Sequence, residues 1–266
     1  MKKIIAFIVL IFLLILAKAW LDSYSLDTSI SIENRQTNIL IPGKVMRLNI
    51  PDIGMEKPRK RVCEVRIPEN YKRDKPVPLL VWFSPGGGSN SVGTIPPLVD
   101  FHEFLLVAIP YPENKLPRLA IKAGKAEIDR FWDYERDMLE YVQDIVPNIS
   151  KRVRIAAGFS SGAHLVGSGL DRDWFGFTDY FTAFVIHEGG YAPDMTYRGI
   201  REHHKILITY GLKNDSYGRV VAREMKKAGH HPTVIKLPHT GHTMSQEAIE
   251  TIKGWIEDVV WSVPEV

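Results

Sequence analysis

Short apolar runs that recur along the chain constrain its fold more than any other feature. Two of them, Leu79–Phe83 and Phe104–Ile109, contain no polar residue. Such runs are typical of parallel strands that are covered on both faces, because neither face of the strand meets water. Similar strands are predicted at residues 153–157, 182–186, 205–210 and 233–237.

Helical patterns separate these runs, with apolar residues at three- and four-residue spacing. They cover Glu127–Ile145, Ser161–Leu170, Tyr217–Ala228 and Met244–Val260. Strands that alternate with helices predict an α/β fold with a mostly parallel central sheet and helices on both faces. Two earlier segments, Val45–Ile50 and Arg61–Ile67, read as strands that open the sheet in antiparallel fashion. We therefore predict one folded domain over residues 39–266.

The N-terminus has the pattern of an export signal. Two lysines precede the apolar run Ile4–Ala17, which ends in the small-x-small sequence Ala17-Lys18-Ala19. Residues 1–19 are predicted to be a signal peptide or an N-terminal membrane anchor, with membrane attachment through residues 4–21 as the uncleaved alternative. Residues 20–38 are polar and lack periodicity, which predicts a tether. The expected location is secreted, periplasmic or membrane-anchored and facing outside the cytoplasm.

The charge and cysteine content argue against nucleic-acid binding, an intramolecular disulfide and a reactive thiol. Three of the 34 basic residues lie in the first nineteen positions, which hold no acid, so the remainder carries 31 basic and 31 acidic residues. A neutral domain argues against nucleic-acid binding. Cys63 is the only cysteine, so an intramolecular disulfide is impossible, and its place in a predicted strand favours a packed side chain over a reactive thiol.

A G-x-S-x-G sequence stands between a predicted strand and a predicted helix. It reads Gly158-Phe159-Ser160-Ser161-Gly162. In that context the pattern predicts a nucleophile elbow, in which a sharp turn exposes Ser160 and glycines leave room for the adjacent strand and helix. The backbone N–H of Ser161, at the helix start, is then a candidate donor to a developing oxyanion.

The second oxyanion donor is expected in the glycine-rich loop after Leu79–Phe83. Gly86 and Gly87 are the candidates, because glycine lets the backbone approach a substrate closely, whereas Pro85 has no N–H to donate. No Lys-Ser or Lys-Thr follows these glycines, so a phosphate-binding loop is not favoured.

A serine nucleophile needs a base, and His242 is the best placed histidine. It lies between the last predicted strand and the last helix, with His239 in the same loop as the runner-up. The adjacent pairs His203-His204 and His230-His231 lack the spacing of metal ligands on a helix face. We therefore expect neither a metal nor another cofactor.

The third member of a triad is expected after a strand between the serine and the histidine. Asp215, which follows residues 205–210, is the predicted acid, and the chain order Ser, Asp, His is that of α/β hydrolases. A helix cap is the alternative role for Asp215. Glu188 and Asp194, after the previous strand, are the alternative acids.

These motifs resemble the esterase and polyhydroxybutyrate-depolymerase-like family of α/β hydrolases, which includes feruloyl and acetyl-xylan esterases. The resemblance is carried by residues 78–88, by residues 154–163 and by Gly241-His242. It differs at Ser84 and Pro85, where the family has His-Gly, and at Asn214, where the family acid commonly falls. The resemblance implies the α/β-hydrolase fold and ester hydrolysis through an acyl-enzyme.

The leading functional hypothesis is a metal-free serine esterase with the triad Ser160, His242 and Asp215. The expected substrate is a small-molecule ester or one linked to a polysaccharide. A serine peptidase on the same fold is an alternative, because the fold and triad serve both reactions. A hydrolase-like binding module that has lost activity is the other alternative, suggested by the Ser84-Pro85 departure.

Overall fold

The computed structural model describes residues 30–32, 40–50, 62–111, 125–172, 176–190 and 195–261. The predicted export segment, residues 1–19, and most of the predicted tether lie outside these ranges. Three tether residues, Ile30–Ile32, form a short strand, β1, so the sheet begins before the boundary predicted near Ile39. A three-residue strand is too short to show the alternation by which strands are recognised in a sequence.

The described residues form a nine-stranded sheet in the order β1-β2-β3-β5-β4-β6-β7-β8-β9. Strand β3 is antiparallel to both of its neighbours, and the other pairs are parallel. The strands after β1 are β2 (Val45–Asn49), β3 (Val62–Arg66), β4 (Val77–Phe83), β5 (Leu105–Ala108), β6 (Ile149–Phe159), β7 (Ala183–His187), β8 (Lys205–Gly211) and β9 (Thr233–Leu237). This arrangement confirms the predicted mostly parallel sheet.

The helices follow the predicted alternation. They are α1 (Lys125–Ile145), α2 (Ser161–Arg172), α3 (Phe177–Tyr180), α4 (Asp215–Lys227) and α5 (Gln246–Trp255). Helix α5 begins after its cap, Ser245, whose side chain accepts a hydrogen bond from the Ala248 N–H, and it continues into a π-helical turn over Ile256–Trp261. Within the described ranges, no helix combines the length and the apolar content that a bilayer crossing requires.

The apolar runs are buried on both faces of the sheet. Along β4, Leu79, Val81 and Phe83 belong to one hydrophobic core, whereas Leu80 and Trp82 belong to the other. Side chains of α1, α2 and α4 cover the first core, and α5 covers the second. Each large apolar side chain that is fully buried in these cores stabilises the fold by about 1.5–3 kcal/mol relative to the same side chain exposed to water. A strand of this kind has no polar face, which is the physical reason for the unbroken apolar runs.

Helix α1 carries one ionisable group that the first core does not accommodate well. Glu135 is fully buried, and neither of its carboxylate oxygens has a hydrogen-bond partner among the residues that the structure describes. Burial raises the pKa of this carboxyl well above its usual range. The group is therefore held in its neutral form, and its ionisation opposes folding.

We expect Glu135→Met to stabilise the protein increasingly as the pH rises. The folded state keeps a proton that the unfolded chain releases above about pH 4.3, so this group costs up to about 1.4 kcal/mol per pH unit until its raised pKa is reached. Urea unfolding of the wild type and the variant at about pH 5 and about pH 8 measures this difference. Glu140→Gln, at an exposed position of the same helix, should show no such trend. A stability difference that is equal at both pH values would contradict the expectation.

Candidate active site

A sharp strand-to-helix turn, here called the elbow, is present where the sequence predicts it. Ser160 directly follows β6, directly precedes α2 and has a φ of 55°, in the left-handed region. For a residue with a Cβ this conformation costs about 1–3 kcal/mol, so the surroundings must hold it in place. They do so through the Ser160 N–H, which donates to the His187 carbonyl at 3.0 Å, and the Ser160 carbonyl, which accepts from the His164 N–H at 3.1 Å.

The two glycines of the elbow allow a close crossing of backbone segments. A Cβ on Gly162 would lie 1.8 Å from the carbonyl oxygen of Phe83, at the end of β4. A Cβ on Gly158 would lie 2.4 Å from the main chain of Gly162. Neither position can hold a larger residue without moving backbone. The motif therefore reflects the tight packing of α2 against the ends of β4 and β6.

His242 faces the serine. Its Nε2 lies 2.9 Å from the Oγ of Ser160, and its side chain is partly exposed. The loop after β9 that carries it is held to the end of β8, because the Leu212 N–H donates to the carbonyl of Thr240 at 3.1 Å. The ring of Phe159 packs 5.3 Å from the imidazole. His239, the runner-up, is exposed in the same loop.

The carboxylate beside His242 belongs to Glu188. Its Oε2 lies 3.4 Å from the Nδ1 of His242, and its side chain is fully buried. Glu188 follows β7 directly and has a φ of 58°. Two donors hold its carboxylate: the Gly211 N–H donates to Oε1, and the Asn214 side-chain amide donates to Oε2. These two hydrogen bonds fix the orientation of the buried carboxylate.

The structure corrects the prediction that Asp215 is the acid beside His242. Asp215 is the first residue of α4, and its carboxylate instead pairs with Arg219 at 2.6 Å and Lys236 at 3.3 Å. Successive residues of a helix project about 100° apart, so residues 214 and 215 cannot both face the imidazole. Asn214 faces it, at 2.7 Å between Nδ2 and the Nδ1 of His242. The other alternative acid, Asp194, lies outside the described residues.

A second histidine, His187, braces the loop of His242. His187 is fully buried at the end of β7. Its Nδ1 lies 2.9 Å from the Oγ1 of Thr209, and its Nε2 lies 3.0 Å from the carbonyl oxygen of Thr243. A carbonyl only accepts, so the proton is on Nε2, and burial lowers the pKa of this imidazole. The neutral ring thus ties β7 to the residue that follows His242.

The predicted oxyanion residues lie near the elbow in the fold. Ser161 is buried at the first position of α2, where backbone N–H groups have no acceptor within the helix. Gly86 and Gly87 lie in a turn after β4, and β4 pairs with β6 so that Phe83 is opposite Gly158. A hydrogen bond holds the start of this turn in place, because the hydroxyl of Tyr111 donates to the main-chain carbonyl of Ser84.

Ser84 itself is buried, and its hydroxyl lies 3.4 Å from that of Thr94. Ser84 stands where the family that the sequence resembles has histidine. In this chain the side chain at that position is therefore small, polar and directed into the protein. Among the described residues, no three His, Cys, Asp or Glu side chains converge in the manner of a metal site.

Comparison with known proteins identifies the fold. No protein-family model matches the sequence, and no curated protein matches it by sequence. Among solved structures, it is similar to the acylaminoacyl peptidase of Pyrococcus horikoshii, with a TM-score of 0.59 and 11% identity over 85% of this chain and 44% of that one. It is also similar to esterase 2 of Thermogutta terrifontis phosphoramylated by tabun, with a TM-score of 0.58 and 13% identity over 86% of this chain and 100% of that one.

A structure of YahD with malic acid matches with a TM-score of 0.53 and 15% identity over 68% of this chain and 93% of that one. The chain thus spans less than half of the peptidase but the full length of the esterase. Together with the nine-stranded sheet and the elbow after β6, these similarities show that the chain has the α/β-hydrolase fold.

Proposed function

We propose that this protein is a serine hydrolase that cleaves carboxylic esters through an acyl-enzyme. The observation that carries the proposal is the contact of 2.9 Å between Ser160 Oγ and His242 Nε2 at a strained strand-to-helix turn. A hydroxyl is a weak nucleophile, and a hydrogen-bonded imidazole with a carboxylate behind it is the arrangement that activates one. Glu188 replaces Asp215 as the proposed acid.

In the first half-reaction, Ser160 Oγ bonds to the ester carbonyl carbon while its proton passes to the Nε2 of His242. The carbonyl oxygen becomes an oxyanion, and the N–H of Ser161 with that of Gly86 or Gly87 is proposed to stabilise it. When the intermediate collapses, the bond to the alcohol oxygen breaks, and the imidazolium returns the proton to that oxygen. Water then attacks the acyl-enzyme by the same sequence and releases the acid.

Glu188 stabilises the imidazolium of His242 that forms in both half-reactions. A catalytically competent His242 carries a proton on Nδ1 and leaves Nε2 free to accept the serine proton. Glu188 Oε2 is positioned to accept from that Nδ1–H and to balance the developing positive charge. Because the carboxylate is fully buried, little water screens this attraction.

His187 is expected to act as a positioning residue for His242. His187→Phe keeps a ring but loses both hydrogen bonds, and we expect kcat to fall about 10–100-fold because the loop of His242 is no longer held in register. His187→Gln retains a donor for the carbonyl of Thr243 and should recover part of this loss. His204→Phe, at the opposite end of β8, serves as the control. Equal kcat values for His187→Phe and the wild type would contradict the expectation.

The proposed substrates are small-molecule esters or esters linked to a polysaccharide. A peptidase is the second candidate, supported only by the fold that the chain shares with the acylaminoacyl peptidase. Hydrolysis by the full chain should be measured on p-nitrophenyl esters of short and long acyl chains, on feruloyl and acetyl sugars and on peptide nitroanilides. Turnover of the nitroanilides alone would favour the peptidase.

An organophosphorus probe tests the nucleophile without assuming a substrate. We expect a fluorophosphonate to add covalently to Ser160, and peptide mapping by mass spectrometry should locate the adduct there. Absence of both labelling and hydrolysis would identify the chain as a hydrolase-like binding module instead.

A further inference from the structure

Basic side chains are concentrated on one part of the molecule, formed by β8, α4, β9 and the segments that join them. Residues 198–237 hold nine lysines and arginines against three aspartates and glutamates, and all nine basic side chains are exposed. Because residues 20–266 hold 31 residues of each sign, the rest of that region has 22 basic and 28 acidic residues. A region that is neutral as a whole therefore has a positive potential on one surface.

Helix α4 forms the centre of this surface. Its buried side consists of Gly218, Val221, Ala222 and Met225, so the opposite side of the helix faces solvent. Four exposed cations follow one another along the helix: Arg219, Arg223, Lys226 and Lys227. They also line a groove of about 590 Å³ between α4 and β9. We call α4, together with the turn Leu212–Asn214 that precedes it, the basic face.

The carboxylates on the basic face do not neutralise it. Each of its two carboxylates is shared between two cations, at 2.6 and 3.3 Å for Asp215 and at 2.9 and 3.1 Å for Glu224. Each cluster therefore retains a net positive charge, to which Lys213 and Lys226 add. A symmetric dimer through this face would bring like charges together, so a second copy of the chain is not its partner.

Exposed apolar side chains lie beside these cations. Among the residues that the structure describes, the large apolar side chains that are exposed are those of Leu212, 63% exposed, and Tyr217, 39% exposed. A hydrated anionic polymer gains nothing from covering such side chains. A lipid bilayer accommodates both features, because anionic headgroups attract the cations while apolar and aromatic side chains enter the boundary between headgroups and acyl chains.

We propose that the basic face is a docking site for a lipid bilayer with anionic headgroups. The lysines and arginines contact the headgroup phosphates, and Leu212 and Tyr217 reach the acyl boundary. The face borders the candidate active site, because Leu212 and Asn214 belong to one 3₁₀ turn and Asn214 faces the imidazole of His242. Docking thus holds the active site beside the bilayer, and, resting on the proposed function, esters dissolved in the lipid are its substrates.

A fluorophore on the basic face tests docking directly. Ser216→Cys places a thiol at an exposed position of α4, and Cys63 stays unlabelled because it is buried and burial raises its pKa to about 12. An environment-sensitive label at residue 216 of the full chain should shift its emission to the blue with vesicles of phosphatidylglycerol and phosphatidylcholine in equal parts. Vesicles of phosphatidylcholine alone should cause no shift.

A second labelled position serves as the control. Asn70→Cys is exposed and lies shortly after β3, six strand positions or about 30 Å from β9 across the sheet. A label there should not respond to either kind of vesicle. Insertion of the predicted N-terminal anchor alone would not distinguish the two labels, so a response confined to residue 216 reports contact through the basic face.

Removing charge from the basic face should weaken docking. Each lysine or arginine at an anionic surface contributes about fivefold to binding, so Arg223→Ser with Lys227→Ser should raise the lipid concentration for a half-maximal shift about 25-fold. Lys72→Ser with Arg73→Ser removes the same charge from an exposed segment after β3 and should leave that concentration unchanged.

The apolar contact distinguishes lipid from an acidic polymer. Leu212→Ser should weaken binding to the anionic vesicles about tenfold, because its side chain no longer enters the acyl boundary. Binding of polygalacturonate, an anionic polysaccharide, would not depend on this side chain. A blue shift with polygalacturonate as large as that with vesicles, and unchanged in Leu212→Ser, would overturn the proposal and assign the face to an acidic polymer. An equal response to neutral and anionic vesicles, or none at residue 216, would also overturn it.

Hydrolysis tests the consequence for the substrate separately. Arg223→Ser with Lys227→Ser should slow hydrolysis of a long-chain p-nitrophenyl ester held in anionic vesicles, whereas hydrolysis of soluble p-nitrophenyl acetate should be unchanged. Docking without any hydrolysis would contradict the proposed function and leave the docking face intact. Hydrolysis of the soluble ester without a lipid response would retain the serine hydrolase and remove the docking face.

Discussion

Ser160→Ala should abolish ester hydrolysis, with a loss in kcat on the order of 10⁶-fold, the precedent for removal of a catalytic serine. Alanine has no oxygen to form the acyl-enzyme, and its smaller side chain fits the same turn. The backbone hydrogen bonds of Ser160 to His187 and His164 do not involve the side chain, so they remain. The fold should therefore be unchanged, and fluorophosphonate labelling should be lost together with turnover.

Ser161→Ala is the matched control for the elbow. It removes a hydroxyl from the neighbouring residue but keeps the backbone N–H that is proposed to stabilise the oxyanion. Steady-state kinetics of the two variants should therefore differ by several orders of magnitude. If Ser161→Ala were inactive and Ser160→Ala active, the assignment of Ser160 as the nucleophile would be wrong.

Glu188→Gln should lower kcat by roughly 10⁴-fold while the protein stays folded, the scale seen when a triad carboxylate becomes an amide. Gln has nearly the same shape as Glu, so the buried pocket at the end of β7 is filled. The negative charge that balances the imidazolium is lost, and the fully buried position leaves little room for water to compensate for it. The measurement is kcat/KM and kcat on a p-nitrophenyl ester, with thermal unfolding as the folding control.

Asp215→Asn separates the two candidate acids. Asp215 pairs with Arg219 and Lys236 rather than with the imidazole. Surface ion pairs of this kind contribute about 0–1 kcal/mol, so this variant should keep nearly normal kcat and lose little stability. If Asp215→Asn were the inactive variant and Glu188→Gln the active one, the acid assigned from the structure would be wrong.

Serine and histidine could be found in the sequence because each is marked by its local context. Ser160 lies in a G-x-S-x-G sequence between an apolar strand and an amphipathic helix, and His242 lies between the last strand and the last helix. The carboxyl ends of parallel strands share one edge of the sheet, so strand order alone predicts that these loops meet. The contact between Oγ and Nε2 in the structure agrees with that expectation.

The acid could not be chosen in this way, because several strand ends offer a carboxylate. Glu188 was recognised only as an alternative, although two glycines follow it, which is a signal of close backbone packing. The left-handed backbone conformation of Glu188 directs its side chain towards His242. No sequence pattern predicts a positive φ for glutamate. Asp215 was favoured for its position after β8, but the 3₁₀ turn before α4 directs Asn214 to the imidazole instead.

The sequence by itself determined the α/β architecture and the position of the elbow, because burial on both faces and the steric demands of a tight turn are properties of local residue order. Only the tertiary structure decided which carboxylate reaches His242, that His187 braces its loop and that Asn214, rather than Asp215, faces the imidazole. These choices depend on the side-chain directions of residues from three different strand ends, and differences of a few ångströms between such directions leave no trace in the pattern of apolar and polar residues.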